Sequence, residues 1–327
     1  MADLGPVRLP AEWEEQEAIW LSWPVSELIW PGKREAIWQA FAELASQLSY
    51  FEPVKINAAG SAHEEIREKL NAVKADLSVI TLYDHPTDDV WCRDHGAIFV
   101  KQDGKLAASD WQFNAWGGKY EPYDLDNALA AKMAEAVGVP ITSSELILEG
   151  GAIECNGAGL LLTTETVLLN DNRNPDWSRA QVEAELGRML GVNEIVWLPR
   201  GLDHDDTDGH IDNVTRFIGE NAVLTCVSDT QPQLIESRRL LSDRFETVID
   251  LPLPELITLE SKPSSYANYA LVNDAVLVPC YSQPANDDRA AGIIGECFPG
   301  RKIVPVDCRL FLEEGGAVHC LTQHQPV

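Results

Sequence analysis

A strand–helix–strand unit recurs along the 327 residues of this chain at intervals of roughly 55, and this repeat limits its possible folds more than any other feature. In each unit, apolar residues at helical spacing precede a short apolar run typical of a buried strand. The predicted helix and strand pairs are 33–50 with 53–56, 63–73 with 78–82, 125–137 with 139–141, 176–190 with 194–198, 231–245 with 247–251, and 287–298 with 302–306. Strands that alternate with helices indicate the α/β class.

Further short strands precede several of these helices, at 96–100, 159–170, 221–227 and 273–279. About five such units fit the chain length. If the units are equivalent and meet at a common axis, each places one loop around that axis. No Ser/Gly-rich linker or charge run divides the chain. We therefore predict one catalytic α/β domain over residues 1–327.

The formal net charge of −27 argues against nucleic acid and anionic membranes as partners and favours small cations. Seven scattered cysteines without CxxC spacing indicate neither a zinc ribbon nor a redox pair. Residues 1–6 have no basic or apolar signal region, and no apolar run is long enough to span a bilayer. These features predict a cytoplasmic protein with reduced thiols.

Four motifs with chemically active side chains lie close to the repeat spacing. They contain Asp94, Glu149, His210, and finally Cys320 after Gly315–Gly316. The first three are separated by 55 and 61 residues, and the last follows His210 by 110 residues, which is two repeats. Equivalent units would therefore bring a thiol, an imidazole and several carboxylates into one site.

Such a set of groups is suited to hydrolysis of a guanidine. A cysteine attacks as its thiolate, whose formation a histidine or a cationic substrate favours. An imidazole can pass a proton to the leaving group. Carboxylates around a thiolate repel one another unless a cation lies between them, and the planar guanidinium pairs with carboxylates through two N–H groups at once. Loss of ammonia by hydrolysis would follow without a metal or cofactor.

Other interpretations remain open for each motif. Asp94 could pair locally with Arg93, and Glu149 could belong to a simple turn. The acidic run 203–208 could be a solvated loop or, with His210, a divalent-cation site in a metal-dependent hydrolase or cation-binding protein. A pseudoenzyme that only binds its ligand is a further alternative. The common spacing of the four motifs favours the catalytic interpretation.

An ordered set of motifs extends over nearly the whole chain. They are Pro10–Trp13 with Trp20–Pro24, Trp91–Gly96, Phe113–Gly118, Glu149–Gly151, Asp206–Asn213 and Gly315–Gln323. In this order they resemble the agmatine deiminase family, also called the bacterial peptidyl-arginine-deiminase-like family, within the guanidino-group-modifying superfamily. The resemblance implies a five-bladed, pseudo-fivefold α/β propeller, the pentein fold, in agreement with the repeat.

The resemblance also implies catalytic roles. Cys320 would be the nucleophile and His210 the general acid and base. Asp94 and Asp212 would hold the guanidinium, while Glu149 would hold His210 and one guanidinium nitrogen. The implied reaction converts agmatine and water to N-carbamoylputrescine and ammonia, on the route to putrescine, through a covalent thiouronium.

Substrate contacts follow from the same resemblance. Trp91 and Trp116 would form the walls of a channel around the aliphatic chain, and Gly316 and Asp208 are further candidate substrate-binding residues. The implied partner is a small cationic guanidine, with no cofactor and no metal, and a homodimer is possible.

Three departures from the family pattern leave the far end of the substrate open. His95 follows Asp94 where the family commonly has Thr or Ser, Glu314 replaces a third glycine, and Glu154 with Cys155 follows the central Gly-Gly. Peptide C-terminal arginine and free arginine therefore remain alternative substrates. Acidic residues near the N-terminus, such as Glu12 or Asp3, are candidates for binding a distal amine.

Overall fold

The described residues form five separate β-sheets, each of which joins an antiparallel strand pair to a parallel strand. The computed structural model describes residues 6–255 and 262–327, so Asp3 lies outside the described residues. A parallel strand is reached through a crossover connection, which a helix usually supplies. The predicted alternation of strands and helices is confirmed as a mixed α/β architecture.

The strands follow the chain through the five sheets. The first sheet, in spatial order, contains β17 (Thr322–Pro326), β2 (Gln16–Ser22), β3 (Val54–Ala58) and β4 (Ile80–Asp84). The second contains β1 (Val7–Arg8), β5 (Ile98–Gln102), β6 (Lys105–Gln112) and β7 (Ile141–Ile147). The third contains β10 (Glu194–Leu198), β9 (Leu160–Thr164) and β8 (Ile153–Cys155). The fourth contains β11 (Thr215–Gly219), β12 (Ala222–Val227) and β13 (Thr247–Pro252). The fifth contains β14 (Ala270–Val272), β15 (Ala275–Cys280) and β16 (Lys302–Asp307).

The longer helices make the crossovers, and the short ones have four residues each. The longer ones are α1 (Arg34–Ser49), α2 (His63–Ala72), α6 (Leu129–Val137), α8 (Arg179–Leu190), α9 (Pro232–Arg244) and α10 (Pro284–Cys297). The short ones are α3 (Cys92–His95), α4 (Ala115–Gly118), α5 (Asp124–Asn127), α7 (Glu165–Leu168), α11 (Arg309–Leu312) and α12 (Val318–Leu321). Three 3₁₀ turns occupy Gly60–Ala62, Gly150–Ala152 and Ile211–Asn213.

Some predicted boundaries differ from the structure for local reasons. The strand predicted at 139–141 begins only at Ile141 and continues to Ile147, because Gly138 ends α6 in the left-handed conformation and Pro140 has no N–H to donate. The strand predicted at 159–170 ends at Thr164, where α7 begins. The helix predicted from residue 176 starts at Arg179, since Ser178 caps it in a capping box with Gln181.

A large apolar core joins α1 to the sheets. Trp23 packs edge-to-face against Trp38 and Phe41, and all three side chains are buried. Among the described residues, none of the helices combines the length and apolar character that a bilayer crossing requires.

Candidate active site

The predicted catalytic residues lie in short helical turns that directly precede strands of four sheets. Asp94 belongs to α3 before β5, and Glu149 comes immediately before the turn at Gly150–Ala152 that leads to β8. His210 and Asp212 belong to the turn before β11, and Cys320 lies in α12 before β17. Equivalent positions in successive repeat units therefore bring together residues that are far apart in the sequence.

Cys320 and Asp94 line a cavity of about 370 Å³. Its aromatic lining residues are Trp91, Phe113, Trp116, Tyr120 and Tyr123. Gly316 also lines it, packed so closely against Trp91 that a Cβ at this glycine would lie 2.2 Å from Cζ3 of the indole. The cavity thus combines a buried thiol with apolar walls suited to an aliphatic chain.

The thiol of Cys320 lies in an anionic environment. Its Sγ accepts a hydrogen bond from Asn268 Nδ2 at 3.0 Å and lies 3.8 Å from Asp212 Oδ2. Burial, and then the charges of Asp212 and Asp94, raise the thiol pKa well above its usual value. Formation of the thiolate therefore requires additional positive charge in the cavity.

His210 lies between two carboxylates. Its Nδ1 is 3.7 Å from Asp94 Oδ1, and its Nε2 is 3.7 Å from Glu149 Oε2. Burial disfavours the imidazolium, but the charges of Asp94, Glu149 and Asp212 outweigh burial and raise the His210 pKa to about 9. His210 is therefore an imidazolium at neutral pH, the form that can donate a proton.

Asp94 is oriented by two N–H donors. Trp116 Nε1 donates to Oδ2 and the Gly151 amide donates to Oδ1, each at 3.0 Å. Trp116 has φ 55° and ψ 42°, the left-handed conformation that non-glycine residues seldom adopt. Burial raises the Asp94 pKa, and nearby Asp212 and Glu149 raise it further against the opposing charge of His210. A bound cation would relieve this repulsion.

Glu149 is fixed by Arg173, which the sequence interpretation missed. Arg173 Nε donates to Glu149 Oε1 at 2.5 Å, and its NH1 donates to Asp208 Oδ2 at 2.8 Å. Burial raises the Glu149 pKa, but the Arg173 guanidinium and His210 overcome this and lower it. Asp208 also accepts from Lys119 at 2.7 Å, so each of its carboxylate oxygens already has a basic side chain as donor. Asp208 is therefore placed to hold the Arg173 guanidinium rather than to contact the substrate.

Four buried polar atoms of this site have no hydrogen-bond partner among the described residues. They are Asp212 Oδ1, Glu149 Oε2 and the two ring nitrogens of His210. Buried polar atoms are normally satisfied, and each exception requires an explanation. The carboxylate oxygens could accept N–H groups from a planar guanidinium, and the imidazolium could donate to its leaving nitrogen.

The rest of the cavity wall is acidic. Its carboxylates are Asp88, Asp89, Asp94, Glu121, Asp126, Asp206 and Glu314. Among the described lining residues, Lys119 is the only lysine or arginine, and its amine donates to the Asp206 carbonyl and the Asp208 carboxylate. This charge distribution favours a ligand that is cationic at both ends.

Glu12 and His95, which the sequence also singled out, are not among the cavity-lining residues. Glu12, a candidate for binding a distal amine, does not do so, because its buried carboxylate accepts from His319 Nε2 at 2.8 Å and Arg216 NH2 at 2.9 Å. His95 is also buried, with its Nδ1 3.3 Å from Asp126 Oδ1 and its Nε2 3.1 Å from Ser22 Oγ. Its contacts are with the protein rather than with the cavity.

The acidic loop at 203–208 has protein partners. Asp206 pairs with Lys262 and accepts from Tyr120, while Asp205 accepts from the Thr207 hydroxyl. Over residues 6–255 and 262–327, no three histidine, cysteine, aspartate or glutamate side chains are grouped so that they could hold a metal ion.

Asn268 and His319 also contact the site and were not among the predicted residues. Asn268 lies in the turn before β14, so the fifth unit contributes at the same position as the other four. The position of Asn268, equivalent to those of the other site residues in their units, is the signal by which the sequence could have identified it. His319 was visible as the neighbour of Cys320, but its contact with Asp212, at 2.7 Å, depends on the packing of distant segments.

Comparison with known proteins identifies relatives of this chain over nearly its full length. The sequence model of the Porphyromonas-type peptidyl-arginine deiminase family matches residues 8–326. An agmatine deiminase from Pseudomonas aeruginosa is 35% identical over 98% of this chain and 95% of its own length. A Cys-to-Ser variant of C. jejuni agmatine deiminase with substrate bound has 33% identity and a TM-score of 0.89, covering 98% of this chain and 96% of that one. Agmatine deiminase of Enterococcus faecalis has 31% identity and a TM-score of 0.90, and the match covers 98% of this chain and 96% of that one.

Proposed function

This chain belongs to the Porphyromonas-type peptidyl-arginine deiminase family, and we propose that it hydrolyses agmatine to N-carbamoylputrescine and ammonia with Cys320 as nucleophile. The observation that supports this most strongly is the set of unpartnered atoms on Asp212, Glu149 and His210 in a site that also holds the buried thiol. A guanidinium is planar, cationic and rich in N–H donors, so it complements this set.

Substrate binding generates the nucleophile. The guanidinium lies between Asp94 and Asp212, where its charge offsets the two carboxylates that raise the thiol pKa. The Cys320 proton is lost to solvent as the cation binds, and the thiolate then adds to the central guanidinium carbon. The product of this step is a neutral tetrahedral adduct.

His210 completes the first half of the reaction. Its imidazolium donates a proton to one nitrogen of the adduct, the C–N bond breaks, and ammonia leaves. The central carbon remains bonded to Cys320 as a cationic thiouronium. Glu149 Oε2, 3.7 Å from His210 Nε2, favours the proton-bearing form of the ring.

Water completes the second half. The neutral His210 imidazole accepts a proton from water as its oxygen adds to the thiouronium carbon. The C–S bond then breaks, which restores the thiolate and releases the ureido product after loss of the hydroxyl proton. As the product leaves, the Cys320 thiolate takes up a proton from solvent and becomes a thiol again. Overall, guanidinium and water become a urea and ammonium, and each protein group returns to its initial state.

The acidic cavity wall favours agmatine over arginine. Agmatine has a second amine beyond its aliphatic chain, whereas free arginine and a C-terminal peptide arginine have a carboxylate there. A carboxylate would be repelled by the acidic side chains of Asp88 and Glu314 in the cavity wall. Trp91 and Trp116 provide an apolar surface for the methylene groups.

We also propose that the five sheets are the blades of a pseudo-fivefold propeller formed by one domain. The common antiparallel-then-parallel pattern of the sheets supports this arrangement. So does the pairing of β17 with β2, which joins the end of the chain to the sheet formed by its beginning.

The test is to measure ammonia and ureido product from agmatine, free arginine and a peptide ending in arginine, each in the presence of EDTA. We expect turnover of agmatine. Turnover of another guanidine would retain the mechanism and replace the substrate. Inactivity on all three, with activity restored by a divalent metal, would identify the acidic loop as the catalytic centre and overturn the role of Cys320.

A further inference from the structure

His319, the residue before the proposed nucleophile, bridges two buried carboxylates. Its Nδ1 lies 2.7 Å from Asp212 Oδ2, and its Nε2 lies 2.8 Å from Glu12 Oε2. The His319 side chain is only 1% exposed. Neither ring nitrogen is therefore available to the substrate, and the role of this residue must be exerted through its two partners.

The geometry requires protons on both ring nitrogens when both carboxylates are ionised, because an ionised carboxylate can only accept hydrogen bonds. Burial raises the pKa of Asp212, but His319 and then His210 overcome it and lower the pKa. The pKa of Glu12 is likewise raised by burial and lowered well below its usual value by His319, Arg216 and Arg93. With both carboxylates ionised, the ring can only donate at its two short contacts, which makes the bridge carboxylate–imidazolium–carboxylate.

Glu12 is fixed from its other side. Arg216 NH2 donates to Glu12 Oε2 at 2.9 Å, while Arg216 Nε donates to Glu154 Oε2 at 2.9 Å. The Arg216 side chain is fully buried. Glu154, Arg216 and Glu12 together hold the His319 ring against Asp212. A buried ion pair keeps one geometry when each of its members has further hydrogen bonds.

We propose that His319 is a positioning residue, held as an imidazolium by Glu12, which keeps Asp212 ionised and directs its second oxygen toward the guanidinium. Asp212 Oδ2 is engaged by His319, whereas Asp212 Oδ1 has no hydrogen-bond partner within the described ranges. Asp94 and Asp212 each carry charge in the same site, and without His319 one of them would take up a proton. This inference rests on the proposed function, because it assumes that Asp212 binds a guanidinium.

The experiment measures binding rather than turnover. Ethylguanidinium is the probe, because it has the reacting group of every candidate substrate and no distal end. Its dissociation constant is determined by NMR titration in a Cys320→Ser background between about pH 5 and 9, the range in which a perturbed carboxylate would titrate. The variants His319→Gln and Glu12→Gln are compared with His85→Gln, a control that alters a partly buried histidine bonded to Asn57.

We expect His319→Gln to weaken binding at neutral pH by at least about 10-fold, since the ionised fraction of Asp212 falls. As the pH is lowered, His319→Gln should lose binding at a pH about 1–3 units higher than the parent does. This is the usual effect of removing an adjacent opposite charge on the pKa of a carboxylate. Glu12→Gln should act in the same direction with a smaller shift, although Glu12 has no contact with Asp212 among the interactions described. His85→Gln should match the parent.

A purely structural role for His319 would lower the free energy of unfolding without moving the pH dependence of binding, and this result would overturn the proposal. If His319→Gln fails to fold, the same two quantities, the free energy of unfolding and the pH dependence of binding, are measured for Glu12→Gln instead. Absence of ethylguanidinium binding to the parent would overturn the proposed function together with this inference. Ethylguanidinium binding by the parent and agmatine turnover by the wild type, with an unchanged pH dependence of binding in both variants, would overturn the inference alone.

Discussion

The guanidinium of Arg173 and the carboxylate of Glu149 form an ion pair in which neither side chain is exposed to solvent, with 2.5 Å between Nε and Oε1. The same guanidinium reaches Asp208 at 2.8 Å, so one buried cation joins the acidic loop to the proposed catalytic carboxylate. Lys119 in turn holds Asp208 from the surface side. The orientation of Glu149 toward His210 thus depends on Arg173 and Asp208, which are not among the cavity-lining residues.

Replacement of Arg173 by methionine should lower both stability and activity. Breaking a buried pair from one side typically costs about 3–5 kcal/mol, whereas Arg188→Met, which disrupts a partly exposed pair with Glu185, should cost about 1 kcal/mol or less. Because Arg173 is the main group that lowers the Glu149 pKa, its loss should move the acidic limb of kcat/KM to higher pH. Urea unfolding and a pH–rate profile measure the two effects, and equal effects of the two variants would contradict this role.

Replacement of Cys320 by alanine should abolish turnover and leave the fold intact. We expect a loss of at least about 10³-fold, because no other group of the site can form the covalent adduct. Cys155→Ala is the matched control, since Cys155 is buried in a different cluster and does not line the cavity. Circular dichroism verifies folding, and ammonia release measures activity. Substantial turnover by Cys320→Ala would refute its role as nucleophile.

His210 should make stability depend on pH. Folding raises its pKa from 6.5 to about 9, so its stabilising contribution is fully present below about pH 6.5 and is lost as the pH rises through about 9. This amounts to about 3 kcal/mol, from about 1.4 kcal/mol for each pKa unit. Urea unfolding at about pH 6 and pH 9.5 should show a larger loss of stability for the wild type than for His210→Asn.

The same titration should appear in catalysis. Loss of the His210 proton removes the general acid, so kcat/KM should fall above about pH 9. In the urea-unfolding experiment, an equal loss of stability between about pH 6 and pH 9.5 in the wild type and in His210→Asn would show that His210 does not have the raised pKa.

Replacement of Gly316 by alanine should impair catalysis by displacing Trp91. The new methyl group would lie 2.2 Å from Cζ3 and 2.6 Å from Cη2 of the indole, so the ring would have to leave its place in the cavity wall. We expect turnover to fall by about 100-fold, as for other displacements of about 1 Å near reacting atoms. Gly292→Ala is the control, because a Cβ there meets nothing within 4 Å and the residue lies inside α10. A Gly316→Ala enzyme with normal kcat/KM would show that Trp91 need not hold this position.

The sequence was sufficient to predict the α/β alternation and part of the site, namely Asp94, Glu149, His210, Asp212 and Cys320. Hydrophobic periodicity is local, so helices such as α9 and α10 could be located to within a few residues. The common spacing of Asp94, Glu149 and His210 then implied that equivalent turns converge. The strand predicted at 159–170 was too long, because periodicity does not distinguish the end of a strand from the short helix that continues its apolar pattern.

The partners of these groups were decided by tertiary packing. Glu12 is an acidic residue in an N-terminal segment, which allowed the incorrect expectation that it contacts substrate, whereas folding buries it against His319, 307 positions further along the chain. Asn268 acquires its contact with Cys320 in the same way. Sequence determined which chemical groups are present and which turns hold them, because those properties depend on neighbouring residues. The charge states of Cys320, His210 and Asp212 depend on burial and on charges from distant segments, and only the assembled structure supplies both.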